Sequence, residues 1–144
     1  MEQLSSRAYS VTAEINVPWE KAYEYLETPL NLGKWALGSW ETQVTDEKDL
    51  FYGTSIFDGE LTYFRIKANK EFLLLDFFVG ARGALQPRIS ARIIPGASYG
   101  QGDSFCLVTI DAWRDLGMND DRWHQLCMCH ETEITLLKAL IEKA

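Results

Sequence analysis

The chain is 144 residues long, 47% hydrophobic and 24% charged, proportions that allow a soluble domain with a substantial core. Its formal net charge of −7 leaves no surplus of lysine and arginine to displace counterions from a phosphate backbone, so nucleic acid is excluded as a partner. The opening MEQLSSRAYS has no apolar signal core, and no apolar run approaches the roughly 20 residues of a membrane span. Three cysteines, one of them necessarily unpaired within the chain, suit a reducing interior. These features together predict a cytoplasmic protein.

Taken in order, Tyr9, Val11, Ala13, Ile15 and Val17 alternate with Ser10, Thr12, Glu14 and Asn16, the pattern of a half-buried strand. Pro18 stands where a first helical turn tolerates a missing N–H. The following WEKAYEYLE spaces Trp19, Ala22, Tyr23 and Leu26 helically, up to Thr28-Pro29. LNLGKWALG is too short and glycine-containing for a long helix and predicts one or two turns, with Leu32 and Trp35 pointing inward. From Trp40 to Arg114 the period is two. It predicts strands near Trp40–Thr45, Leu50–Phe57, Glu60–Ala68, Glu71–Val79, Arg88–Ile94 and Ser104–Arg114. Asp58-Gly59 predicts a tight hairpin, and the other short connections predict neighbouring antiparallel strands.

The last stretch, NDDRWHQLCMCHETEITLLKALIEK, has no Gly or Pro from Asp120 onward. Asn119, Asp120 and Asp121 offer a cap and a negative first turn, with Lys138 and Lys143 towards the other end. Trp123, Leu126, Cys127, His130, Ile134, Leu137 and Ile141 recur at three- and four-residue steps, one buried face of a helix about 36 Å long. Only a broad sheet covers such a stripe.

The order is therefore one strand, a short helical pair, six strands and a long helix, an α+β arrangement. With its opening YSVTAEINVPWEKAYEYLETPLNLGKWALG, its strand meander and its closing amphipathic helix, the chain resembles the START-like (SRPBCC) superfamily, and within it the polyketide cyclase/dehydrase group. The resemblance spans nearly all of residues 1–144. It implies a single helix-grip domain: a bent antiparallel sheet of about seven strands, two short helices and a long C-terminal helix. It further implies a cavity between helix and sheet for a lipid, a polyketide or another apolar molecule. These families share no universal catalytic motif, and fold does not settle function.

Candidate cavity residues follow from alternation and helical spacing. They are Trp40, Tyr52, Phe64, Phe77, Arg92 and Trp113 on strands, Trp35 on the elbow, and Trp123, Cys127 and Ile134 on the long helix. Tyr99, at the tip of the glycine-rich segment from Pro95 to Gly102, would form a flap; an ordinary hairpin loop is the plainer alternative. His130, the polar residue centred in the apolar stripe, is the candidate acid or base, set against a core histidine with a hydrogen-bond partner. An inward Asp111 would orient it as a dyad. Arg88, Ser90 and Arg92 share one predicted strand face, either anchoring an anion or solvated, and Arg82 is a further anion contact. Cys127-Met128-Cys129-His130 lacks the second ligand pair of a metal site, and no cofactor fingerprint occurs.

Two functions remain in view: a binding protein for a hydrophobic small molecule, and a cyclase/dehydratase-type enzyme using cavity polar groups. A protein-interaction module is the weaker third. A sheet edge or the doubly apolar run Phe72–Val79 offers a surface for a homodimer; a cover within the monomer is the alternative.

Overall fold

The computed structural model describes residues 7–144; the first six, part of the opening stretch inspected for a signal segment, lie outside the described residues. Strands β1 (Ala8–Ile15), β2 (Trp40–Val44), β3 (Phe51–Thr54), β4 (Leu61–Asn69), β5 (Leu74–Ala81), β6 (Ala84–Pro95) and β7 (Cys106–Trp113) form one antiparallel sheet in the order β1-β7-β6-β5-β4-β3-β2. Helices α1 (Trp19–Glu27), α2 (Pro29–Leu32) and α3 (Asp120–Lys143) accompany it. No helix among the described residues is long and apolar enough to cross a membrane.

The strand order dictates the rest. β1 and β2 follow one another in sequence yet occupy opposite edges of the sheet. The chain between them must cross the sheet's width, and α1, α2 and a 3-10 turn at Leu37–Ser39 make that crossing over the inner face. α3 packs on the same face. Ile15, Leu26, Leu75, Ile93, Val108 and Leu137 thus belong to one core fed by α1, the sheet and α3. At the start of α3 the Asn119 side chain accepts a hydrogen bond from the Arg122 N–H at 2.8 Å, with Asp120 and Asp121 in the first turn.

Two connections differ from the sequence-based expectation. Asp58-Gly59 does not make a two-residue hairpin: β3 stops at Thr54, and a wider loop closes on the Ser55 N–H to Glu60 carbonyl bond at 2.8 Å. The two-residue turn lies instead at Arg82-Gly83, between the paired residues Ala81 and Ala84, where Gly83 has φ 81°. β6 accordingly begins at Ala84, four residues before the predicted start. Pro87 sits inside it, tolerated because the pairing slips there: Phe77 faces Ile89 but Phe78 faces Pro87, leaving Arg88 as the extra residue of a bulge.

The elbow formed by α2 and the 3-10 turn is seated on the sheet edge by two glycines. A Cβ at Gly33 would run into the backbone nitrogens of Glu41 and Thr42, and one at Gly53 into the Ser39 carbonyl. Gly33 also donates to Thr42 Oγ1 at 2.8 Å and accepts from the Glu41 N–H at 2.9 Å. Gly33→Ala is therefore expected to lift the elbow and cost about 1–3 kcal/mol. The check is a urea titration: the midpoint should fall at unchanged slope, and an unchanged midpoint would show that the elbow tolerates the displacement.

The run Phe72–Val79 does carry apolar residues on both faces. Leu75 and Phe77 are buried inward, while Leu74 and Phe78 face out, with the Lys67 ammonium 4.8 Å from the centre of the Phe78 ring. The inward residues enter the single core; Phe72 itself is exposed.

Candidate functional site

The first half of α3 stands over the sheet without closing on it. Ile134, Leu137 and Ile141 in the second half are core residues, whereas Leu126, Cys129, His130 and Glu133 border a cavity of about 250 Å³. The elbow supplies Leu32, Trp35, Ala36 and Ser39, and the sheet supplies Thr62, Phe77, Val79 and Ile89. Trp35 and Phe77 meet edge to face, ring centres 6.2 Å apart, both almost wholly buried. The walls are mainly apolar, as small-molecule sites generally are, and the volume falls just below their usual range of about 300–1,000 Å³.

Five ionisable side chains, His130, Glu133, Arg88, Arg122 and Cys129, break that apolar lining. His130 and Glu133 are 3% and 6% exposed and stand one helical turn apart. His130 Nδ1 lies 2.9 Å from Glu133 Oε1, an ion-pair distance, though off the alignment of a full hydrogen bond. The other carboxylate oxygen accepts the Leu37 N–H at 2.7 Å. Glu133 therefore ties the elbow to α3 and lies against the imidazole at the same time. His130 Nε2 is buried with no protein partner.

Arg88 enters from the sheet and Arg122 from α3. The bulge puts Arg88 on the same side as Ile89, so both line the cavity although they are adjacent in a strand. Burial holds the Arg88 pKa below the ordinary guanidinium value; the Asp115 carboxylate, 3.9 Å from its Nη1, opposes this, and the nearby Arg122 cation adds to it. The Arg122 guanidinium lies 5.2 Å from the centre of the Phe57 ring. Arg88 Nε and Arg122 Nη1 are both buried without a hydrogen-bond partner. The cavity thiol of Cys129 is pushed up by burial and by Glu133, against a smaller downward pull from Arg122, so it is a poor nucleophile.

Of the residues singled out by sequence, His130, Trp35 and Phe77 line the cavity. Asp111 does not join His130. Alternation along β7 turns Cys106, Val108, Ile110 and Ala112 inward and leaves Asp111 on the outer face, where it accepts a hydrogen bond from Ser10. Arg92 and Trp113 are exposed on that outer side, and Tyr52 pairs with Tyr63 there at 5.6 Å. Phe64 and Ile134 are core residues, Phe64 stacked on Phe51 at 5.8 Å. Trp40 and Trp123 pack outside the cavity, and Cys127 is turned away from it while Cys129 faces in. Tyr99 is no flap over the cavity: its hydroxyl donates to Glu14 on β1 at 2.9 Å. Arg82 pairs with Asp46 and lies over Tyr63.

Sequence reasoning missed Glu133 and Arg122, and it offered Arg88 as an anion anchor together with Arg92, whereas the bulge turns Arg88 inward and leaves Arg92 outside. The steps Arg122, Leu126, Cys129, Glu133 are four, three and four residues, so a helical face admitting charged residues would have found the first two. Nothing in simple alternation signals the bulge.

This architecture is an α+β helix-grip fold, here built from seven antiparallel strands and a long closing helix. By sequence the chain matches no family model and no curated protein. Among solved structures it is similar to the protein XoxI from Bacillus cereus, at 10% identity and TM-score 0.69 over 94% of this chain and 95% of that one. It is also similar to the Zhui aromatase/cyclase from a Streptomyces species, at 11% identity and TM-score 0.62 over 95% and 94%. The di-domain aromatase/cyclase StfQ from the steffimycin biosynthetic pathway matches at 12% identity and TM-score 0.64, covering 93% of this chain and 45% of that one. At such identities the likeness is one of fold.

Proposed function

We propose that the protein binds a compact hydrophobic or aromatic small molecule between α3, the elbow and the sheet. The observation that carries this reading is the cavity itself. Trp35, Phe77, Val79, Ile89 and Leu126 line a space of about 250 Å³ in an otherwise closed core. Empty apolar space forfeits dispersion contacts on its walls, and an apolar guest restores them. The volume favours a body of one or two rings over a long extended chain. The aromatase/cyclases among the structural neighbours support a ligand of polyketide type.

Titration calorimetry with naphthol tests the reading, comparing the parent with Val79→Trp, which fills the cavity from β5. Binding to the parent, weakened about tenfold or more in the variant, is the expected result. Equal binding by both proteins, or binding by neither, would refute it.

A second reading, a cyclase- or dehydratase-type enzyme, is favoured by one observation. Glu133 Oε1 lies 2.9 Å from Nδ1 of His130, and neither ring nitrogen is engaged in a protein hydrogen bond. An imidazole beside a carboxylate can take a proton from a bound ligand or return one.

A further inference from the structure

We propose that the ligand is a monoanion: an apolar or aromatic body bearing one carboxylate, received by Arg88 from the sheet and Arg122 from α3. The inference rests on the binding reading above and specifies the chemistry of that site.

Buried donors on charged groups are normally satisfied, because leaving one bare costs more than its hydrogen bond would return. Here Arg88 Nε and Arg122 Nη1 are both bare, and the two ring nitrogens of His130 on the same cavity wall also lack a hydrogen-bond partner. Among the described residues, no carboxylate neutralises the pair fully. Asp115 reaches only Nη1 of Arg88, at 3.9 Å, and its own side chain is 47% exposed. Glu133 is the cavity's carboxylate, and both of its oxygens are engaged, one by the Leu37 N–H and one against His130.

Charge then favours an anion. The cavity wall holds two guanidinium cations, Arg88 and Arg122, against one carboxylate, Glu133. A single carboxylate offsets the excess of guanidinium charge, whereas a phosphate dianion sets further negative charge near Glu133. Guanidinium groups also suit a carboxylate sterically, since their planar N–H donors match its two coplanar oxygens. The ring system of such a ligand would lie against the almost wholly buried pair Trp35 and Phe77.

The test uses naphthoate and its neutral isostere naphthamide, titrated into the parent, Arg88→Met and Arg122→Met. In the parent the carboxylate should bind about ten- to a hundredfold more tightly than the amide. In each methionine variant that ratio should collapse towards one. Equal affinities in the parent, or a ratio that survives both substitutions, would overturn the anion proposal while leaving small-molecule binding intact. Failure of both probes to bind would overturn the binding reading and this proposal together. Without ligand, Arg88→Met should also unfold no earlier than the parent, because methionine removes an uncompensated buried charge. An earlier midpoint would give Arg88 a structural role and refute its part as an anion receptor.

Discussion

Phe77→Ala is expected to lower the unfolding free energy by about 3–5 kcal/mol, the usual cost of deleting a buried ring. Phe77 is 1% exposed, lies between Ile66 and Ile89 on neighbouring strands, and meets Trp35 edge-on at 6.2 Å. The void left by the ring would open directly into the cavity. The variant should therefore be less stable and should accept a bulkier aromatic guest than the parent. Urea unfolding measures the first effect, with Phe78→Ala as control because Phe78 faces outward and is only half-buried. A loss below about 1 kcal/mol would mean that the walls collapse around the gap, and the enlarged site would then be absent.

Glu133→Ala is expected to cost about 1–3 kcal/mol, because it strands a part-buried backbone donor and removes the imidazole's charged neighbour. The two consequences separate experimentally. Glu133→Gln keeps an oxygen for the Leu37 N–H and should recover part of the stability, while still altering the nitrogen NMR shifts of His130. If alanine and glutamine variants both unfold at the parent's midpoint, the link between elbow and helix contributes nothing to the fold. Loss of the link should also loosen the elbow, whose Trp35, Ala36 and Ser39 form one side of the cavity.

Much of the architecture was legible because burial imposes a period on the chain. The strand alternation of Cys106, Val108, Ile110 and Ala112, and the helical recurrence of Ile134, Leu137 and Ile141, are direct consequences of one covered face. The Asn119 cap and the acidic first turn of α3 were readable for the same local reason. Face assignment on the strands was not. Asp111, Arg92, Tyr52 and Trp113 were expected inside and lie outside, because alternation separates two faces without naming which one meets the helices.

The sequence alone determined an acidic α+β chain of one strand, a short helical crossing, a meander and a capped amphipathic helix with His130 on its covered face. Local propensity and periodicity suffice for that, since each depends on neighbours a few residues apart. Only the tertiary structure decided the site. The bulge turns Arg88 inward, the elbow's close seating at Gly33 and Gly53 brings the Leu37 N–H to Glu133, and β1 and β2 at opposite edges force the crossing that covers the cavity. Each of these depends on groups distant in sequence meeting in space. A period of two or 3.6 residues carries no record of such a meeting.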